Sequence, residues 1–172
     1  LAHGTTVSTN ALIEKKGADV GLITTEGFHD VMEIGLQKRP EMYDTLAQKP
    51  IPLIKAGMNV GVPERIRYDG QVIRALDEEK VREVVRLFKA NNVNSIAVAT
   101  LFSFLNPVHE KRIKEIIEEE YPGVYVTVSS ELVPEFREFS RMSTTVLNSY
   151  LGPIMENYVQ NFRDSVKNIG VT

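Results

Sequence analysis

The spacing of hydrophobic positions along the chain alternates between short apolar runs and stripes of helical period. Asp19–Thr24 and Ser95–Phe102 are mostly apolar runs of strand length, as expected for strands of a parallel sheet that is covered on both faces. Val124–Ser129 is a third run of this kind. Because helical stripes separate these runs, the pattern predicts an α/β fold with a partly parallel sheet layered with helices.

Stripes with a period near 3.6 residues predict helices before, between and after the strands. Asp77 begins the clearest of them, since its carboxylate can cap a helix and apolar residues follow on one face. Gly17 suits the left-handed residue that often follows the end of a helix. The predicted helices are Val7–Lys16, Phe28–Leu36, one after Asp77, one capped by Asn106 with Pro107 in its first turn, and two pieces of Pro134–Gly170 that meet at Gly152-Pro153.

The segment Arg39–Pro63 is rich in proline and glycine and predicts a long excursion with little regular structure. Asp69-Gly70 follows it, and this dipeptide is typical of tight turns that need positive φ. The sequence therefore predicts a β-hairpin between Glu64–Tyr68 and Gln71–Ala75. We expect two lobes joined near the excursion, residues 1–55 and 62–172.

The composition narrows the functional classes. The chain has 172 residues, 42% hydrophobic and 25% charged, with a formal net charge of -3, which is typical of an ordinary globular domain. This acidic balance, without a long Lys or Arg run, argues against nucleic-acid binding and against a membrane-binding surface. No apolar run approaches the roughly 18 residues that span a bilayer. Because the chain has no cysteine, it fits a reducing compartment, and we expect a cytoplasmic location.

The histidine and acidic residues do not follow a metal-ligand spacing. His29 and His109 fall on predicted helices among charged neighbours, and we interpret both as surface residues. Glu118–Glu120 end a predicted helix, where negative charge is unfavourable, and we interpret them as a solvated helix end. We therefore expect no metal site built from these residues.

Several separated motifs occur in a fixed order and together resemble the ATP-dependent hydantoinase A and 5-oxoprolinase family. The resemblance covers nearly the whole chain, so chance is a poor explanation for it. The motifs are HGTTVSTNALIEKKGADVGLITTEGFHDVMEIG, Gln37, Arg39-Pro40, Tyr43-Asp44, Pro63-Glu64-Arg65, NPVHEKR and PEFREFSRMSTTVLNSYLGP.

The resemblance implies a fragment of an actin-like or sugar-kinase-like ATPase fold. In this family, two Gly-rich phosphate loops open the two halves of the fold, and neither loop is present between Leu1 and Thr172. We therefore expect this chain to be the piece between the loops. ATP and Mg²⁺ belong to the intact enzyme, since such loops hold them through backbone amides and an acidic residue. We expect no tight ATP binding by the isolated chain.

The resemblance also implies an activity. In the family, ATP activates the oxygen of a cyclic amide so that water can open the lactam or imide ring, and related members carboxylate ketones. We expect an ATP-dependent hydrolase of cyclic amides. The alternatives are a fragment of an acetone-carboxylase-like subunit and a non-catalytic assembly domain. A second subunit of the hydantoinase B type is the expected partner.

The first residues fit a substrate-side role in such an enzyme. Gly4 allows close backbone approach, and Thr5 and Thr6 present hydroxyls and amides at a helix N-terminus, where an anion or a polarised carbonyl is favoured. Asn10, one turn later, offers a donor and an acceptor to a lactam edge. We predict Thr5 and Thr6 as catalytic and His3, Gly4 and Asn10 as substrate-binding. The alternative is structural: the threonines cap a helix, the glycine relieves a turn, and the histidine packs beside a strand.

Arginine residues supply the other candidates. Arg137 and Arg141 are four residues apart, so on a helix they share a face and can clamp a carboxylate or phosphate. The alternative for this pair is a solvated face with weak intrahelical ion pairs. Arg39 lies in the excursion, where a loop could close over substrate or pack against another lobe. We predict all three as substrate-binding.

Overall fold

Parallel strands form the centre of the structure, a computed structural model that describes residues 4–36, 43 and 52–168. The strands are β1 (Val20–Thr25), β2 (Ile54–Val62), β3 (Arg65–Ile66), β4 (Val72–Arg74), β5 (Ser95–Ala99) and β6 (Tyr125–Val128). The three pairings within the four-stranded sheet, ordered β2-β1-β5-β6, are all parallel, and β3 and β4 form a separate antiparallel pair.

Helices cover both faces of this sheet. None of the described helices is both long and apolar enough to cross a membrane. The helices are α1 (Val7–Ile13), α2 (Val31–Ile34), α3 (Glu78–Ala90), α4 (Val108–Glu120), α5 (Ser129–Leu132) and α6 (Glu138–Asn168). The α/β class with a partly parallel sheet layered with helices is thereby confirmed.

The strand residues alternate between two hydrophobic cores, because successive side chains of a strand point to opposite faces. On one face, Ile23, Ile96 and Val98 pack with α3 and α4. On the other, Val20, Leu22, Ala97 and Ala99 pack with α6. Every residue of β1 and β5 is buried, which explains why both strands read as continuous apolar runs. In the core beneath α3 and α4, these helices contribute Val81, Val84, Val85, Phe88, Ile113, Ile116 and Ile117.

The residues predicted to begin and end helices are confirmed in part. Asp77 caps α3 as predicted, with its carboxylate accepting a hydrogen bond from Lys80 N at 3.0 Å. Asn106 Oδ1 accepts from Val108 N at 3.2 Å, although Pro107 occupies the capping position of α4. The expectation that Gly17 takes the left-handed conformation after α1 is wrong: Lys15 takes it, with φ 54°, because α1 ends earlier than predicted.

The excursion prediction is wrong for its last part, because Ile54–Val62 forms strand β2. Its two glycines weaken the apolar pattern that would otherwise predict a strand. Gly57 has φ 75° and lies where the pairing with β1 shifts register, while Gly61 lies so close to β1 that a Cβ there would be 2.8 Å from Glu26 Cα. Residues 39–42 and 44–51 of the excursion lie outside the described residues.

The predicted break in the C-terminal helix is also wrong, since α6 continues through Pro153. Arg141 near its start contacts the loop after β5, while Tyr150 O accepts a hydrogen bond from Ala18 N, just before β1, at 2.9 Å. The helix therefore runs antiparallel to the strands. Gly152 lets it pass Tyr125, whose ring would be 2.3 Å from a Cβ at that position.

The sheet joins the two ranges that the sequence assigned to separate lobes. β1 lies in residues 1–55, and it pairs along its length with β5 of residues 62–172. The division into lobes is not tested by this pairing and stays a prediction for the whole protein.

The predicted hairpin is confirmed, with β3 and β4 flanking Asp69-Gly70. A hydrogen bond from the Arg67 side chain, followed by one from Gln71 N, lowers the pKa of Asp69 to about 2 from its ordinary 3.8. A lowered carboxyl pKa stabilises the folded state above the unfolded value, and this contribution is lost as the pH falls from about 3.8 to about 2.

We expect Asp69 to titrate near pH 2 when its carboxyl carbon is followed by NMR. In Arg67→Gln, the titration should move upward toward 3.8, because the largest cause of the shift has been removed. The bond from Gln71 N at 3.1 Å remains and should keep the pKa of Asp69 somewhat below that value. An identical titration curve in the variant would contradict the assignment.

Candidate functional site

The carboxyl ends of the parallel strands meet at one edge of the sheet, which is where ligands bind in open α/β sheets. β1 ends at Thr25, and the residues that follow β5 and β6 are Thr100 and Ser129. All three side chains are buried, although each is polar. A buried polar edge of this kind requires internal hydrogen-bond partners, and two glutamates supply them for the Thr25 and Ser129 side chains.

Glu110 is the first of these glutamates. It lies in the first turn of α4 and is fully buried. Its Oε1 accepts hydrogen bonds from Thr100 N and Ser129 Oγ, both at 2.7 Å, and its Oε2 accepts one from Ser130 N at 2.8 Å. One carboxylate therefore fastens the loop after β5 and the start of α5 to the N-terminus of α4.

Arg141 lies at the same edge and is also buried. Its Nη2 donates to Thr100 O at 2.6 Å and its Nη1 to Glu135 O at 3.1 Å. Burial lowers the pKa of the Arg141 guanidinium below its usual value, and the charges of Glu110 and Glu138 oppose that shift. The guanidinium is thus committed to main-chain carbonyls and balances the buried Glu110 charge.

Glu64 is the second buried glutamate and lies between β2 and β3. Its Oε1 accepts a short hydrogen bond from Thr25 Oγ1, which itself accepts from Leu101 N at 2.9 Å. Its Oε2 lies 2.6 Å from His109 Nδ1. This chain of contacts joins the end of β1, the loop after β5, the β2–β3 connection and the first turn of α4.

Some polar atoms at this edge remain without a partner. Among the described residues, six enclosed side-chain atoms lack a hydrogen bond, and three of them belong to this edge: Thr100 Oγ1, Ser130 Oγ and Arg141 Nε. An enclosed polar atom without a partner costs about 1–3 kcal/mol. The edge therefore has hydrogen-bonding capacity that the described residues do not use.

The predicted residues at the start of α1 are exposed and form only local hydrogen bonds. Thr5 Oγ1 accepts from Val7 N at 3.2 Å, and Asn10 Nδ2 donates to Thr6 Oγ1 at 3.4 Å. Gly4 has open space around it. Thr5 thus accepts from one amide at the start of α1, whereas Thr6, the residue at the capping position, makes no side-chain capping hydrogen bond. The structural alternative therefore agrees with the structure for Thr5 only.

α1 lies beside α6. Ser8 of α1 lines a groove of about 660 Å³ whose α6 residues run from Thr144 to Arg163. Arg141 lies three residues before Thr144 and is buried. No hydrogen bond between described residues joins Thr5 or Thr6 to Arg141.

The expected arginine pair does not share a helix face. Arg137 precedes α6, has φ 78° and is exposed, with its guanidinium carbon 5.3 Å from the centre of the Phe136 ring. Arg141 is inside the helix and buried. Arg141 N still donates to Arg137 O at 3.1 Å, but the left-handed backbone at Arg137 places this residue outside the regular helix. His3 and Arg39 lie outside the described residues.

The interpretation of His109 as a surface residue is wrong, because it is 6% exposed and contacts Glu64. His29 is exposed, as expected. The solvated helix end is observed only in part: Glu120 accepts hydrogen bonds from Arg86 and Arg82 of α3, and these bonds lower its pKa.

Sequence reasoning assigned no role to Glu64 or Glu110 and missed the burial of His109. Both glutamates stand in motifs that carry the family resemblance, Glu64 in Pro63-Glu64-Arg65 and Glu110 in NPVHEKR. Nothing in the local sequence distinguishes them from solvated glutamates.

Two features bear on whether this edge can hold a nucleotide or a metal ion. The sequence has no Gly-rich phosphate loop. Within the described ranges, no group of three or more His, Cys, Asp or Glu side chains is placed to hold a metal ion. The buried carboxylates are occupied by internal donors, so a Mg-nucleotide does not fit this edge in the described arrangement.

Comparison with known proteins finds relatives along almost the whole chain. An uncharacterized protein of Methanocaldococcus jannaschii is 42% identical over 99% of this chain and 25% of its own length. The acetophenone carboxylase gamma subunit of Aromatoleum aromaticum is 39% identical over 91% of this chain and 23% of its own length. The caprolactamase subunit alpha of Pseudomonas jessenii is 34% identical over 98% of this chain and 24% of its own length.

The crystal structure of the ATP-dependent caprolactamase from Pseudomonas jessenii has the same fold, with a TM-score of 0.91 over 97% of this chain and 24% of that chain. The chain thus spans about a quarter of the length of these relatives. The model of the hydantoinase/oxoprolinase N-terminal region matches residues 1–121. With this match, and with relatives of such identity over nearly its full extent, the chain belongs to the hydantoinase/oxoprolinase N-terminal region family.

Proposed function

We propose that the whole protein that carries this chain is an ATP-dependent enzyme that opens the ring of a cyclic amide. Ring opening adds water across the amide C–N bond and yields a carboxylate and an amine. The observation that carries this proposal is the likeness of sequence and fold to the ATP-dependent caprolactamase. Since this chain lacks a phosphate loop, we assign ATP and Mg²⁺ to segments outside it.

Within that enzyme, the exposed start of α1 is our candidate for the surface that faces the substrate. Thr5 and Thr6 would contact the reacting group, and Gly4 and Asn10 would bind the amide edge, together with His3 and Arg39. Arg137 is exposed and can still reach an anion. We assign Arg141 a different part, because both terminal nitrogens of its guanidinium donate to carbonyls that shape the sheet edge.

The reaction class is tested by ATP consumption of the whole protein with caprolactam, 5-oxoproline or hydantoin. Faster ATP hydrolysis with one of them, together with a ring-opened product in equal amount, would support the proposal. No increase with any cyclic amide would count against it.

Ketone carboxylation is the second candidate, and the likeness to the acetophenone carboxylase gamma subunit favours it. It is distinguished by ATP consumption that requires both a ketone and bicarbonate. Because the caprolactamase and acetophenone carboxylase relatives are named as subunits, we also propose a second subunit of the hydantoinase B type as the partner. If this chain serves only assembly, replacing Thr5 and Thr6 should leave turnover unchanged.

Replacing Thr5 and Thr6 by alanine in the whole protein should lower turnover about tenfold or more, if their hydroxyls contact the reacting group. Ser165→Ala is the matched control, because this exposed hydroxyl donates to a carbonyl of its own helix at 2.8 Å. Turnover is measured as ring-opened product per enzyme. Equal rates in the double variant and the control would leave the threonines as capping residues.

A further inference from the structure

The contact between Glu64 and His109 is the feature that the proposed function leaves unused. The Glu64 side chain is 0% exposed and that of His109 is 7% exposed. Glutamate is rarely buried to this extent unless it is paired. The pair lies at the carboxyl edge of the sheet, beside the ends of β1 and β5.

The hydrogen bonds around Glu64 define the tautomer of His109. Thr25 Oγ1 accepts from Leu101 N, so its single hydroxyl proton is free to donate to Glu64 Oε1. Glu64 is thereby an acceptor on Oε1, and as a carboxylate it is an acceptor on Oε2 also. His109 Nδ1 must then carry the proton that lies between it and Oε2, at 2.6 Å separation. In the neutral imidazole, Nε2 consequently holds the lone pair.

The position of Nε2 leaves that lone pair available. The side chain of His109 is 7% exposed, and no residue in the described part of the chain forms a hydrogen bond with Nε2. The contacts of the described residues therefore leave this atom unused. Glu110, the next residue of α4, does not compete for it, because its carboxylate is engaged by the loop after β5 and by α5.

We propose that His109 Nε2 accepts a hydrogen bond from an N–H or O–H group bound at the carboxyl edge, with Glu64 and Thr25 as positioning residues that hold the ring in the accepting tautomer. This inference rests on the proposed function: the N–H is that of the cyclic amide, or the O–H is that of the water that opens it. The arrangement is that of a histidine oriented by a buried carboxylate.

The test compares a lactam that has a ring N–H with its N-methyl derivative in the whole protein. If Nε2 accepts from the ring N–H, the wild type should prefer the unmethylated lactam by tenfold or more in kcat/KM, and His109→Ala should remove most of that preference. If Nε2 accepts from water, His109→Ala should lower kcat by tenfold or more for both lactams. Both results support the proposal. Unchanged kcat and unchanged preference would overturn it.

Glu64→Gln tests the positioning role without changing the shape of the side chain. The glutamine amide donates a hydrogen to Nδ1, so the proton of the ring moves to Nε2, which becomes a donor. We expect kcat/KM to fall by tenfold or more while the thermal midpoint stays near that of the wild type. His29→Ala, which removes an exposed histidine, is the control and should retain full activity.

A chemical readout separates this inference from the reaction class. Diethyl pyrocarbonate acylates the free lone pair of imidazole, and mass spectrometry of peptides from the whole protein locates the product. We expect labelling of His109 that is slowed by caprolactam and prevented in Glu64→Gln. Such labelling in a protein that consumes no ATP with cyclic amides would refute the reaction class but retain the site. Absence of labelling, together with full activity of His109→Ala, would refute the site alone.

Discussion

Replacing Glu110 by alanine is expected to lower the free energy of unfolding by about 3–5 kcal/mol, because it leaves three hydrogen-bond donors at the sheet edge without their acceptor. Thr100 N, Ser130 N and the Ser129 hydroxyl would lose their acceptor, and the buried Arg141 would lose a nearby negative charge. Urea unfolding of residues 1–172, followed by circular dichroism, measures the effect.

Glu118→Ala is the matched control for this prediction, since Glu118 is an exposed glutamate on the same helix. We expect its effect to lie within about 0.5 kcal/mol of zero. Glu110→Gln adds a second comparison. Its amide nitrogen would face the Ser130 N–H, so two hydrogen-bond donors would be placed against each other. A loss below about 1 kcal/mol in Glu110→Ala would show that the loops are held by other contacts.

The second large effect is expected in the core between β1 and α3. Phe88 is fully buried, and its ring lies where a side chain on Gly21 would be, with only 2.6 Å between Phe88 Cε2 and a Cβ at that position. Phe88→Ala should lower the free energy of unfolding by about 3–5 kcal/mol through the cavity it leaves. Gly21→Ala should lower it by about 1–3 kcal/mol through overpacking.

The double variant tests whether these two effects share one cause. If the alanine methyl at position 21 enters the space vacated by Phe88, the combined loss should be smaller than the sum by about 0.5–3 kcal/mol. Gly4→Ala is the control, because Gly4 is exposed with nothing within 4 Å of an added Cβ. Strict additivity in urea unfolding would contradict the contact between position 21 and the ring.

The order of elements was predictable from the sequence where burial is periodic. β1, β5 and α3 have apolar runs or stripes that agree with their final burial, and Asp77 marks the start of α3 correctly. β2 was missed because its role as an outer strand lets it contain glycines and half-buried residues, which weaken the apolar signal. The continuity of α6 was missed because tertiary packing of the helix overrides the local preference of Pro153.

The candidate site was less predictable than the fold. The sequence does not distinguish a buried glutamate from an exposed one. Only tertiary contacts distinguish Glu64 and Glu110 from solvated glutamates nearby. His109 was placed on the correct helix, but its helix turns it toward Glu64, which is 45 residues earlier in the chain. The exposed groups of Thr5 and Thr6 were anticipated, and their role stays a prediction.

The irregular pairing of β2 has a consequence for how the molecule behaves at high concentration. Between Val20 and Leu22 of β1, the partner on β2 advances from Ile54 to Asn59, so the outer strand bulges. Within this bulge, Lys55 forms an ion pair with Asp19 at 2.8 Å. A bulged outer strand that carries a lysine offers no regular row of amides to a strand from another molecule. Within the described part of the chain, this border of the sheet is therefore protected against edge-to-edge aggregation.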